Sequence, residues 1–240
     1  MPEQPPLCFR AASERFLSRR DWLESWHSFS FGGHDDPAWR GFGPLRVIND
    51  DRFAAGAGFG RHPHRDMDII TVMVEGQLDH EDSLGHRGRL VAGDVQVMEA
   101  GRGLAHSEIN GGEHTCRLVQ IWIEPAASAA TPRYSQSSNR IERRWTPLVG
   151  PSGSGASLSI SRPIVLWRVR AEAGQTLPLP IEAPALGWLQ ILSGRVGLQG
   201  RCAPGPEFLA TGDGLGLTAG AVQALEVLEQ GSDLLLFSLL

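Results

Sequence analysis

No stretch of this 240-residue chain approaches the run of about 20 apolar residues that a membrane-spanning helix needs, so no membrane partner is expected. The opening Met1-Pro2-Glu3-Gln4-Pro5-Pro6 lacks a basic-then-apolar leader, and the expected location is cytoplasmic. Cysteine is scarce: Cys8, Cys116 and Cys202 are scattered and form no CxxC, which argues against a disulfide framework and suits reduced thiols. Positive charge is short as well. A net charge of -5 leaves no footprint for phosphate backbones, so direct nucleic-acid binding is not expected. The first half shows no convincing amphipathic helix. The second half has no histidine at all: His27, His34, His62, His64, His80, His86, His106 and His114 all precede it. Imidazole chemistry therefore belongs to the first half.

Glycine and proline, by contrast, are plentiful, at 29 and 16 residues. They punctuate the first half at intervals of roughly ten residues, which is the signature of short strands in a sandwich or jelly roll. Ile69–Leu78 is a β-branched run stopped by Gly76, and Leu78, His80 and Asp82 alternate onto the next strand. Val95–Met98 and Cys116–Ile123 read as further strands, with Leu118, Gln120 and Trp122 on one face. Leu45–Asp51 reads as a strand ending in a turn. Trp26 to Phe31 alternates like a half-buried edge strand, and His34-Asp35-Asp36 falls in a Gly- and Pro-rich solvated loop. A polar connection from Pro125 to Arg144 separates two halves, and the domains expected are residues 1–132 and 133–240. Leu186–Leu198 repeats the layout of Ile69–Leu78, and Thr211–Leu215 that of Ala92–Val95, a weak internal repeat of about half the chain.

Two segments carry the chemistry. Phe59-Gly60-Arg61-His62-Pro63-His64 and Gly103-Leu104-Ala105-His106-Ser107-Glu108 each hold an i, i+2 pair of metal-competent side chains. Residues two apart on a strand share a face, so both pairs can converge on one point inside a barrel. Three imidazoles and a carboxylate suit a divalent first-row ion, Fe(II), Mn, Ni, Cu or Zn, rather than Ca²⁺ or Mg²⁺. Four protein ligands on a six-coordinate ion leave two positions for substrate and dioxygen. Glu108 is also the candidate proton acceptor. Asp68, four residues beyond His64, is a rival carboxylate. Strict alternation would point Asp66 inward, so a bulge is expected there. His80, His86 and His114 are expected at the surface or behind the ligands. Gln96, Met98 and Trp122 fall on cavity-lining strands, with core packing the expected role of the last two.

These motifs follow the cupin layout: Gly58…His62-Pro63-His64…Gly76, then Gly93…His106…Asn110. More narrowly, the chain resembles the pirin family of bicupins. The matching stretches are Leu45–Asp50, His62–Met67, Gly93–Gln96, Met98–Gly103, His106–Glu108, Gln120–Trp122 and Pro132–Gln136. The resemblance implies an all-β chain of two cupin (jelly-roll β-barrel) domains in tandem, face to face. It implies one metal, usually iron, in the first barrel, held by His62, His64, His106 and Glu108 rather than Asp68. It implies a metal-free second cupin. The activity implied is dioxygenase cleavage of a flavonol such as quercetin, with the flavonol and O₂ as partners of a monomer. An alternative, drawn from eukaryotic relatives that co-regulate transcription, is a non-catalytic metal- or redox-sensing partner protein. A third is a cupin isomerase or a metalloenzyme acting on another small phenolic.

Overall fold

The computed structural model describes residues 7–240. Among them lie 22 strands and one short 3₁₀ turn, Ala12–Glu14. Its first amide, Ala12 N, donates to Asp213 Oδ1 at 2.8 Å. No helix among the described residues is long and apolar enough to cross a membrane.

The chain divides into two compact units. Strand β1 (Leu7–Arg10) belongs to the second, described below. The first unit comprises Phe16–Arg140 with Ile160–Arg162. Its larger sheet begins with β2 (Phe16–Arg20), β3 (Leu23–His27) and β4 (Leu45–Phe53). The chain then crosses to β5 (Gly58–His64), returns as β6 (Asp68–Glu75), and crosses again as β7 (Gln77–Asp82) and β8 (Arg87–Val91). Next come β9 (Asp94–Glu99), β10 (Leu104–Ile109), β11 (Cys116–Ile123) and β12 (Arg133–Ser138). The spatial orders are β12-β9-β6-β11-β4-β3-β2 in one sheet and β5-β10-β7-β8 in the other. Every pairing in this unit is antiparallel.

The apolar runs decide which strands are central. β6 and β11 are buried nearly end to end, while β10 alternates, with Leu104, His106 and Glu108 inward. Met73, Leu78, Leu90 and Leu118 come from both sheets and close one end of the sandwich. Each such fully buried side chain contributes about 1.5–3 kcal/mol. Ile69, Met98, Ala100 and Leu104 form a second buried apolar cluster in this unit.

Among the described residues, the second unit holds residues 7–15, Ile141–Ser159 and Pro163–Leu240. Its strands are β13 (Thr146–Gly150), β14 (Leu158–Ser159), β15 (Ile164–Ala171), β16 (Thr176–Pro178) and β17 (Leu186–Ser193). They continue as β18 (Arg195–Gln199), β19 (Phe208–Ala210), β20 (Gly214–Thr218), β21 (Ala224–Val227) and β22 (Ser232–Leu239). The orders are β1-β20-β17-β22-β15-β13-β14 and β16-β21-β18-β19. The two units thus share a seven-plus-four arrangement, as the internal repeat suggests. Even the turns match. Gly93 and Gly212 both adopt positive φ, and the next residue's carboxylate accepts from Val91 N at 2.9 Å and from Ala210 N at 2.8 Å.

Several local expectations shift. Arg133–Ser138, placed after the domain boundary from sequence, runs along β9 and completes the first unit, which extends to Arg140. Polar composition disguises it, because one face of this edge strand meets water. β4 does not turn at Asp50-Asp51 but continues to Phe53. Asp50 there takes both arms of the Arg117 guanidinium at 2.8 and 2.7 Å. The alternating segment near Trp26 is a strand only to His27, and β2, not β3, is the edge. Asp66 does not sit in a bulge. It adopts φ 48° and turns the chain between β5 and β6, with its Oδ1 accepting from Ala129 N at 2.6 Å.

Candidate metal centre

β5 and β10 are antiparallel neighbours, with His62 directly opposite His106. The register slips between His106 and Glu108, so Glu108 faces Phe59. Gly58 permits this close approach: a Cβ there would strike the Glu108 carbonyl oxygen and stand 2.8 Å from Ile109 Cα. Pro63 stiffens the extended segment between the two histidines.

The three imidazoles converge. Ring centroids lie 4.8 Å apart for His62 and His64, 4.5 Å for His62 and His106, and 4.9 Å for His64 and His106. A candidate ligand atom from each falls within 4.8 Å of the others. His62 Nδ1–H donates to Gly60 O at 2.8 Å, which leaves Nε2 as its free lone pair. His106 Nε2 is buried without any hydrogen-bond partner. Such an orphan is rare in a folded interior and fits an atom that meets a ligand. Burial, followed by the neighbouring imidazoles, pushes the His64 and His106 pKa values down to about 3. Both rings are therefore neutral at physiological pH, the form that binds metal.

Glu108 is buried beside this cluster and held by donors from three strands of the facing sheet. Gln120 Nε2 donates to Oε2 at 2.7 Å, and Gln96 Nε2 to Oε1 at 3.1 Å. The Thr71 hydroxyl, with one proton, lies 3.1 Å from Oε1 and 2.9 Å from Gln120 Oε1. Oε2 thus keeps one unfilled lone pair. Burial raises the Glu108 pKa above its ordinary value, against the pull of His80 and these donors. Its carboxylate groups with His106 and His80, rather than with His62 and His64.

Asp68 lies elsewhere. It faces Glu99 across β6 and β9 and lines a separate small cavity with Arg133 and Ser161. Burial and the Glu99 charge raise its pKa to about 7. Asp35 in the His34-Asp35-Asp36 loop is ion-paired with Arg40 at 2.6 Å, and His34 stacks on Phe16 at 4.2 Å. His114 and His86 are exposed, and His80, at 2% exposure, lies behind His106, both within the expected alternatives. Met98 packs in the core with Ile69 and Leu104.

The cluster opens on a cavity of about 690 Å³, inside the range of about 300–1,000 Å³ usual for small-molecule sites. His62, His64 and Glu108 line it, with Phe31, Trp122 and Asp51. Trp122 meets His64 edge-on at 5.0 Å and Phe31 at 5.5 Å. Its Nε1–H is buried and unpartnered. Asp51, which sequence reasoning left in a turn, accepts from Ser25 Oγ, and burial raises its pKa to about 7. Only its membership of a β-branched strand, Leu45–Phe53, could have flagged it.

The equivalent strands of the second unit, β16 and β21, carry Leu177, Leu225 and Val227, all buried in its apolar core. None of these three side chains can bind a metal.

Comparison with known proteins agrees with this division. A family model described as Pirin matches residues 10–123, and one described as a quercetinase C-terminal cupin domain matches residues 148–239. A relative from Escherichia coli (strain K12) named quercetin 2,3-dioxygenase is 38% identical, over 92% of this chain and 96% of its own length. A pirin-like protein from Caulobacter vibrioides is 37% identical, over 87% of this chain and 89% of its own. The crystal structure of YhhW from E. coli superposes with a TM-score of 0.90 at 36% identity, covering 98% of this chain and 97% of that one. A second structure of the bacterial pirin YhhW, in complex with nickel(II), gives 0.88 at 35% identity, with 97% and 98% covered. With two all-β units, the matching domain models and relatives of this extent, the chain is a bicupin and belongs to the pirin family.

Proposed function

We propose that this protein is a metal-dependent dioxygenase that opens a flavonol such as quercetin with O₂, at a centre formed by His62, His64, His106 and Glu108. The reading rests on one observation: three converging imidazoles, with His106 Nε2 buried and unpartnered, adjoin an aromatic-lined cavity of small-molecule size. The E. coli relative's name supports the choice of substrate, and the nickel complex of YhhW supports a metal. In this reading the ion is Fe(II), although the same nitrogen and oxygen donors accept Mn, Ni, Cu or Zn. Such an ion supplies Lewis acidity toward a substrate oxygen and, when redox-active, one-electron chemistry toward dioxygen.

The side chains divide the remaining work. Phe31 and Trp122 offer a flat aromatic substrate an apolar, edge-to-face wall. Trp122 Nε1–H, with no partner of its own, donates to a substrate oxygen. Glu108 takes the flavonol hydroxyl proton on Oε2, giving up to it the open lone pair that would otherwise hold the ion. Its raised pKa makes it a stronger base than a surface carboxylate, while the Gln96 and Gln120 amides fix its plane. The buried setting keeps bulk water from competing for that proton.

Oxygen uptake with quercetin, measured on metal-loaded protein beside His106→Ala, tests the reading. Uptake that follows metal content and disappears in the variant is the expected result. A protein that holds metal stoichiometrically yet consumes no oxygen with any flavonol would be a metal-sensing partner protein instead.

A further inference from the structure

The mechanism above leaves unused one buried histidine that adjoins His106. His80 lies on β7, opposite Glu108 on β10, and Asp82 lies opposite His106. The period of the strand turns Leu78, His80 and Asp82 toward the interior together. His80 Nδ1 is 3.5 Å from His106 Nδ1, with ring centroids 5.3 Å apart. That is long for a hydrogen bond, but the partners are not arbitrary. A ligating imidazole offers one nitrogen to the metal and carries its proton on the other. If Nε2, the orphaned atom, is the ligand, His106 must hold its proton on Nδ1, and His80 Nδ1 is the acceptor within reach.

One proton assignment fits the row. His80 accepts on Nδ1 and carries hydrogen on Nε2, which faces the Asp82 carboxylate at 3.8 Å, close enough for electrostatic attraction but too long for a hydrogen bond. The Asp82 carboxylate is buried, yet well supplied with donors. Its Oδ1 accepts from Leu84 N at 2.8 Å and His86 N at 3.0 Å, and its Oδ2 accepts from His86 Nδ1 at 2.8 Å. The His80 ring is further clamped against Tyr134, stacked at 4.5 Å with planes 17° apart. The Tyr134 hydroxyl, with one proton, lies 2.7 Å from Gln136 Oε1 and 3.2 Å from Gln96 Oε1, and Gln96 holds Glu108. The same stacked pair therefore stands behind both ligands on β10.

We propose that His80 is a positioning residue for the metal centre, fixing the tautomer and ring plane of His106 through its Nδ1, with Asp82 and His86 anchoring His80 in turn. This rests on the reading of His62, His64 and His106 as metal ligands. A competing arrangement uses His80 itself as a ligand beside His106 and Glu108, since those three groups also lie within reach of one point.

Co(II) binding to the metal-free full chain separates these cases. Chelator competition reads affinity, and the visible d–d spectrum reads the number of ligands. In His80→Leu we expect one Co(II) still bound, about 10–100-fold more weakly, with the wild-type ligand number retained. His80→Gln, whose Oε1 can accept from His106 Nδ1–H, should recover most of that loss. The paramagnetically shifted proton signal of His106 Nδ1–H should exchange slowly with solvent in wild type and His80→Gln, and quickly in His80→Leu. The glutamine variant and this signal keep the test decisive if the leucine variant fails to fold. Unchanged affinity in His80→Leu, beside a site lost in His62→Ala, overturns the positioning role while the metal reading stands. A spectrum in His80→Leu or His80→Gln showing one ligand fewer makes His80 a ligand and overturns it too. Wild-type protein that binds no Co(II), or His62→Ala that binds it equally well, removes the metal reading and this role together.

Discussion

Gln120 Nε2 lies 2.7 Å from Glu108 Oε2, so a strand of one sheet holds the carboxylate offered by a strand of the other. Gln120→Leu would strip Oε2 of its donor while keeping most of the side-chain volume. A hydrogen bond to a charged group is worth about 1.5–3 kcal/mol, and a loss of that order in unfolding free energy is expected for the metal-free protein. Urea denaturation at neutral pH measures it. Gln120→Glu should be worse, because two buried carboxylates would then meet.

Asp51 gives the fold an unusual pH response. Its pKa is about 7 in the native state, against an ordinary value of 3.8. Between those values the unfolded chain has released the proton and the native state retains it, so this group makes stability fall as pH rises from about 4 to 7. Above 7 the full penalty stands, of order 4 kcal/mol at 1.36 kcal/mol per unit. Asp51→Asn keeps an acceptor for Ser25 Oγ and removes the ionisation. Its melting temperature should exceed wild type at pH 8 and lose that advantage at pH 4. An equal difference at both values would show that ionisation of Asp51 is not the cause.

Gly58→Ala tests the strand spacing behind the histidine pair. The new methyl would meet the Glu108 carbonyl and Ile109 Cα, backbone atoms that cannot rotate away. Overpacking of this kind costs about 1–3 kcal/mol. Because β5 must move from β10 to relieve it, melting temperature and metal affinity should fall together. A thermal melt and a metal titration on one preparation suffice.

The second unit offers a control that involves none of the clustered histidines. Arg168 is fully buried and grips Asp233 with Nε at 2.9 Å and Nη2 at 2.7 Å, and Arg170 Nε adds a bond at 2.9 Å. Asp233→Leu leaves buried positive charge behind and should cost about 3–5 kcal/mol. Arg168→Met combined with Asp233→Leu should recover much of it, as read by denaturant titration.

The convergence of His62, His64 and His106 was legible because its signal is local. An i, i+2 pair on a strand declares a shared face whatever the rest of the chain does. Alternation also turned His80 inward with Leu78 and Asp82, yet which inward residue reaches His106 depends on the register of β7 against β10, which no local pattern encodes. Asn49-Asp50-Asp51 looks like a turn by composition. Arg117 and Ser25, far off in sequence, supply the partners that let two acidic residues run on in a buried strand. The allegiance of Arg133–Ser138 was hidden for the same reason, since its partner is β9.

The pairing of Leu7–Arg10 with Gly214–Thr218 sets an order of events during synthesis. The partner of the first described strand is translated roughly 200 residues later, a wait of about 10–40 s at ordinary ribosomal speeds. The sheet edge along β20 therefore cannot be sealed by a half-made chain. The histidine-bearing unit can mature on the ribosome, while its histidine-free companion stays unfinished until β20 emerges to pair with the earlier-made Leu7–Arg10.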